Sequence, residues 1–171
     1  MDVDPGSLPT GATMLRLEGE ARRQGSGLTG DQLKGRWLVR HIWGKDGSRP
    51  LPTTELLLRR CEATLAIEQE DASDELRLTN SLALGWIKIC FSGPGELRQR
   101  RPLLFFNFTR LRILMANHPI LSISLPKPAP NKQPFFALIG SDTTTDGVKW
   151  LAARGRGGGL ALWVDQKETL A

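Results

Sequence analysis

Five tryptophans, two histidines and two cysteines are the chemically distinctive side chains of this 171-residue chain. In the run "LKGRWLVRHIWG" (33–44) the residue types alternate. As a strand it would put Trp37, Val39, His41 and Trp43 on one face. That face is an aromatic wall with one imidazole, which suits holding an apolar molecule rather than transforming one. Trp86, Phe106 and Trp150 extend the set of candidate ligand contacts, and Arg154 offers a polar group to orient a ligand. Core packing competes with ligand contact for each ring. Trp37 reads as a plug at one end, and of Trp150 and Trp163, on the two strands of one hairpin, one would face outward.

Other chemistry is thinly supplied. His41 and His118 are the only histidines, and Cys61 and Cys90 form no C-x-x-C, so no metal-ligand spacing is present. A Cys90–His41 nucleophile–base pair would depend on the fold bringing the two together. The stretch "GRGGG" (155–159) lacks the Lys-Ser/Thr of a phosphate loop and lies between two strand-like runs, so it reads as a hairpin tip. Glu62, Glu68, Glu70 and Asp71 read as solvated. No catalytic residue and no metal ligand is assigned.

The charge has one concentrated segment. "RQRRPLLFFNFTRLR" (98–112) holds Arg98, Arg100, Arg101, Arg110 and Arg112 with three phenylalanines and no acid. It reads either as an anionic-partner surface, for lipid headgroups or an acidic protein, or as two basic clusters flanking a buried strand. A nucleic-acid partner, with bases stacked on the rings, is not expected. The chain's net charge of +5 is compatible with either reading.

The elements that must position these residues follow from periodicity. "GATMLRLEGEARRQ" (11–24) reads as a helix with Met14, Leu15 and Leu17 apolar and Glu18, Glu20, Arg22 and Arg23 wet. Glycines then break it, and Gly35 lets the chain bend into the first strand. Alternating runs follow at 61–69, 75–82, 85–91, 101–115, 120–125, 135–141, 148–154 and 160–166, punctuated by turn residues. "SGPGE" (92–96) reads as a turn, and the four prolines of "PKPAPNKQP" (126–134) as a loop. "LPTTELLLRR" (51–60) reads as a helical turn or lid. Short antiparallel strands leave unpaired edges, and closing the sheet removes them. The expected fold is all-β, an antiparallel barrel of about eight or nine strands with a short N-terminal helix. Residues 1–30 would be a helical lead and linker, and 31–171 the barrel. The acidic start "MDVDPGSLPTG" has no apolar core segment, which argues against a secretory signal. Two cysteines make no disulfide framework, which fits a cytoplasmic chain.

Gly35-Arg36-Trp37 at the head of the first strand, after a short helical segment, resembles the hallmark of the lipocalin-type (calycin) barrels. The resemblance implies that a late-strand arginine, Arg154 or Arg156, packs over Trp37. The nearer likeness is to the plastid lipid-associated proteins, or fibrillins, of plastids and cyanobacteria. It rests on "LKGRWLVRHIW", "IEQ…LRLTNSL" and the hairpin "VKWLAARGRGGGLALWV", across roughly 28–166. It implies non-enzymatic binding of a hydrophobic small molecule, a lipid, carotenoid or tetrapyrrole. The setting would be the cytoplasm or the thylakoid periphery, with a membrane surface or a photosynthetic protein as further partner. Two alternatives stand beside it. One is a bilin lyase or chaperone acting on phycobiliproteins. The other is an interaction module that uses the 98–112 surface.

Overall fold

The structure is a computed structural model that describes residues 7–47, 60–69, 75–98 and 102–166. Two helices come first: α1 (Gly11–Gln24) and α2 (Gly30–Leu33). The Thr10 hydroxyl accepts from the Thr13 backbone N–H at 3.3 Å and caps α1, and Arg22 and Arg23 sit in its last turn, where the helix dipole favours cations. Ten strands follow: β1 (Gly35–Trp43), β2 (Thr64–Gln69), β3 (Leu76–Leu84), β4 (Ile87–Arg98), β5 (Leu103–Phe106), β6 (Arg110–Met115), β7 (His118–Ser124), β8 (Phe135–Thr143), β9 (Lys149–Gly155) and β10 (Leu160–Asp165).

Eight of these strands close a ring in the order β1-β2-β3-β4-β5-β8-β9-β10, every neighbour antiparallel, with β10 returning to β1. The expected closed antiparallel barrel with a short N-terminal helix is therefore the observed fold. The hairpin β6–β7 stands outside the ring. β6 pairs with the first half of β4, and among the described strands β7 is hydrogen-bonded only to β6.

Strand β4 explains that arrangement. It pairs with β3 from Ile87 to Gly95, while its other edge pairs with β6 from Ile87 to Ser92 and with β5 from Gly95 to Arg98. The "SGPGE" stretch is thus the middle of a twelve-residue strand and not the expected turn. Its glycines serve close approach. A Cβ on Gly93 would sit 1.8 Å from the Asn107 carbonyl oxygen, and one on Gly95 would sit 2.2 Å from Leu78 Cδ1. The chain at Asn107–Thr109 crosses against Gly93, with the Asn107 and Thr109 amides donating to the Pro94 and Ser92 carbonyls. Gly35 keeps the role expected for it. Its φ of +141° opens β1 in a conformation that favours glycine.

Two apolar layers result. Inside the ring lie Trp37, Leu65, Ile67, Leu78, Leu104 and Leu151, with α2 closing one end through Leu33. Outside it, α1 lies over β8–β9–β10–β1, where Met14 packs with Trp43, Trp150, Leu160 and Leu162. The helix does not present the face expected from its sequence. Gly11, Met14 and Glu18 are its buried positions, whereas Leu15 is exposed. Residues 51–59 of the expected lid and the expected turn at 71–74 lie outside the described residues.

The close approach at Gly93 yields a direct test. Gly93→Ala meets backbone, so it should lower stability by about 1–3 kcal/mol, as overpacking does. Gly157→Ala, where a Cβ meets nothing within 4 Å, should change it by no more than about 0.5 kcal/mol. Urea unfolding midpoints of the two variants check the contrast.

Candidate functional site

The first strand does not keep its four candidate residues together. Opposite β10, Val39 pairs with Trp163 and His41 with Leu162, so Arg40 is the extra residue of a β-bulge. One extra residue reverses the alternation. Trp37 and Val39 point into the barrel, and so does Ile42 beyond the bulge. Trp43 points outward beneath α1, with the His41 ring 5.4 Å away. The expected single face of Trp37, Val39, His41 and Trp43 is corrected to two faces, two strand positions before the bulge and two after it.

Trp37 plugs the barrel end. It is fully buried, and its indole N–H donates to the Leu33 carbonyl at 2.8 Å. The cation above it is neither of the two arginines the resemblance implied. Lys149, at the start of β9, puts its Nζ 5.2 Å from the ring centroid. Arg154 lies on the outer face and clamps α1 to the wall. Its Nε and Nη2 donate to Glu18 Oε1 and Oε2 at 2.7 and 2.6 Å, and its Nη1 donates to the carbonyls of Lys45 and Gly158. Arg154 is thereby removed from any interior ligand. Hydrogen bonds from Arg154, helped by Arg22, hold the Glu18 carboxyl below the usual carboxylate range against the opposing effect of burial. Arg156 donates to the Gln133 and Asn131 carbonyls at 3.0 and 2.5 Å and ties the proline-rich loop to the β9–β10 turn.

The inward aromatic residues form a row. Trp163 meets Phe136 edge-on at 5.5 Å between ring centroids. Phe136 lies 4.9 Å from Phe106, Phe106 lies 5.1 Å from Phe108, and Phe108 lies 5.8 Å from Phe91. The row starts in the barrel core and ends on β4 beside β6. Cross-strand partners share a face. Leu82–Ile89–Ile113–Leu121 is therefore one row and Phe91–Leu111–Ile123 another, both continuous with inward-facing Leu78. Ile42, Leu82, Phe108, Phe136 and Ala161 are only partly buried on the core. So the barrel is filled by its own side chains around Trp37, while at the opposite end its lining passes onto the half-exposed sheet β4–β6–β7. Its other face carries Arg110, Arg112, Ser122 and Ser124.

The remaining candidates disperse. Trp150 lies outward beneath α1, and Trp86 stands exposed at the β3–β4 turn. Arg98 is bound to Glu96 at 3.0 Å and lies over Phe105, 4.3 Å from the centroid, so its charge is already matched. Arg110 and Arg112 are exposed on β6, and Arg100 and Arg101 lie outside the described residues. Arg98 on β4 and Arg110 and Arg112 on β6 therefore lie on separate strands. His41 on β1 and Cys90 on β4 are separated by β2 and β3, so no dyad forms between them. Among the described residues no three His, Cys, Asp or Glu gather as metal ligands, and no helix is long and apolar enough to cross a membrane. The rings Phe91, Phe108 and Phe136 were not among the candidates. Their alternation was visible, but which strands adjoin was not.

No family model, curated protein or solved structure matches this chain.

The Glu18–Arg154 clamp sets a pH dependence. The lowered Glu18 pKa means that its contribution to stability is complete above the ordinary value near 4.5 and is lost as pH falls through the depressed folded value. Glu18→Gln strands Arg154 and should cost about 3 kcal/mol at pH 7. The gap to wild type should narrow under acid, as read from unfolding curves between pH 7 and pH 3.

Proposed function

We propose that this chain is a non-enzymatic, calycin-type carrier of a hydrophobic molecule, a lipid or a pigment, held at the open end of the barrel. The supporting observation is the run of apolar side chains that leaves the core through Phe136, Phe106, Phe108 and Phe91 and continues over Leu111 and Ile113, beside the single polar Asn80 opposite Phe91. An elongated apolar chain laid along it gains roughly 0.8 kcal/mol per methylene removed from water. The rings add flat surfaces suited to a polyene or a tetrapyrrole. The packed end around Trp37 is structural in this reading, and the cargo lies at the other end. A photosynthetic membrane or protein belongs to the proposal as its setting. The lyase alternative draws no support from the separated His41 and Cys90.

A fluorescent fatty acid is a suitable probe. It should bind with a saturable change in emission, and Ile113→Glu should raise Kd at least about tenfold, equivalent to 1.4 kcal/mol. Arg154→Lys should leave Kd unchanged, because Arg154 is outside the barrel. Absence of saturable binding, or equal loss in the two variants, would reject the carrier reading.

A further inference from the structure

The extension has a blunt apolar end. The β3–β4 turn exposes Leu84, Trp86 and Ile87, and the neighbouring β6–β7 hairpin exposes Met115 and Ile120. Trp86 is 73% exposed, Leu84 63% and Ile120 57%. The two turns are locked side by side. Ile87 pairs with Met115, and the Ala116 N–H donates to the Trp86 carbonyl at 2.8 Å. Ala116 and Asn117 both have positive φ, 48° and 66°, which makes a tight two-residue turn. Among the described residues, Leu15 is the only large exposed apolar side chain outside this extension. Unlike a scatter of single residues, a contiguous apolar patch of this kind marks a contact surface.

Charge selects the partner. On the extension itself, residues 84–92 and 109–124, the charged side chains are Lys88, Arg110 and Arg112, and the nearest carboxylate along β4 is Glu96. Glu96 is already bound to Arg98. Lys88 lies one residue behind Ile87, and Arg112 lies three residues behind Met115, roughly 10 Å from the tip at about 3.3 Å per residue. A side that is apolar at the tip and cationic behind it matches the layering of a bilayer surface, acyl chains beneath anionic headgroups. A tryptophan at that depth suits the interface, where an amphipathic ring is favoured.

We propose that the paired tips of β3–β4 and β6–β7 dock this protein on an anionic lipid bilayer. Trp86, Leu84 and Met115 enter the acyl boundary, and Lys88, Arg110 and Arg112 meet the headgroups. The contact is a surface contact and spans nothing. It places the open end of the apolar face next to the membrane, but the docking stands whether or not the barrel carries cargo.

The experiment uses the full chain with vesicles of phosphatidylcholine, alone or mixed with phosphatidylglycerol. The protein should sediment with the mixed vesicles, weakly with phosphatidylcholine alone, and less as salt is raised. The other four tryptophans are buried, so brominated acyl chains should quench Trp86 alone. Trp86→Ser should abolish the quenching. Arg110→Gln combined with Arg112→Gln should weaken partitioning about thirtyfold, equivalent to two surface cations. These side chains are exposed, so thermal unfolding should stay at the wild-type temperature. Failure to sediment with the anionic vesicles, or indifference to the arginine changes, would overturn the proposal. So would a solution dimer, broken by Trp86→Ser, whose tips no lipid can reach. Fatty-acid binding measured without vesicles reports on the carrier reading separately.

Discussion

At Gly93 the chain at Asn107 comes closer to β4 than any side chain would allow. There the outer edge of β4 changes partner, from β5 on one side to β6 on the other. Both architectural features depend on that exchange. Below it, β4 is a stave of the ring. Beyond it, still paired with β3, the strand carries the ring's inner face into the open. At about 3.4 Å per residue, twelve residues span roughly 40 Å, longer than the mean strand by a factor of about two. A side chain at position 93 would force the β5–β6 connection away and take from Pro94 and Ser92 the amides that satisfy their carbonyls.

The same exchange explains why the apolar lining is not fully buried. A closed ring hides its inward positions by geometry. A sheet that leaves the ring keeps the alternation but loses the opposite wall. Leu121 and Ile123 occupy inward positions by register and are nonetheless exposed. On β6 the alternation still separates Leu111 and Ile113 from Arg110 and Arg112, whose face also carries Leu114. Exposure of the apolar face is unfavourable in water by the ordinary hydrophobic term, which is the physical ground for both proposals.

Much of this was legible in the sequence, and the exceptions share a cause. Period-two alternation located most of the strands and the 148–154 and 160–166 hairpin, and the helical pattern of apolar and charged residues located the helix at 11–24. The alternation also separated Leu111 and Ile113 from Arg110 and Arg112. Alternation cannot reveal an inserted residue, because a bulge at Arg40 is defined by what β10 does opposite it. That is why Trp43 changed sides. Composition read "SGPGE" as a turn, since glycine permits turns and close approach equally. Glu18 was read as wet because its partner, Arg154, lies 136 residues away along the chain. Arg154 was assigned to a ligand for the same reason. A paired ion on the outer wall and an orienting ion in a cavity are indistinguishable until strand neighbours are known.

The two ends of the barrel divide the work of stability and exposure. At the Trp37 end, a buried hydrogen bond to Leu33, the Lys149 ammonium over the ring and the small α2 leave no face uncovered. On the outer wall, α1 is held by Met14 packing and by a two-point ion pair that also fastens the Lys45 carbonyl. These contacts lie on strands β1, β8, β9 and β10, whereas the exposed face lies on β4, β6 and β7. An apolar face left open in water has to be supported by contacts elsewhere, since it adds little to folding itself. A rigid wall on one side therefore allows an uncovered lining on the other. Replacing Arg110, Met115 or Trp86 changes what the surface can touch without removing anything that holds the ring closed.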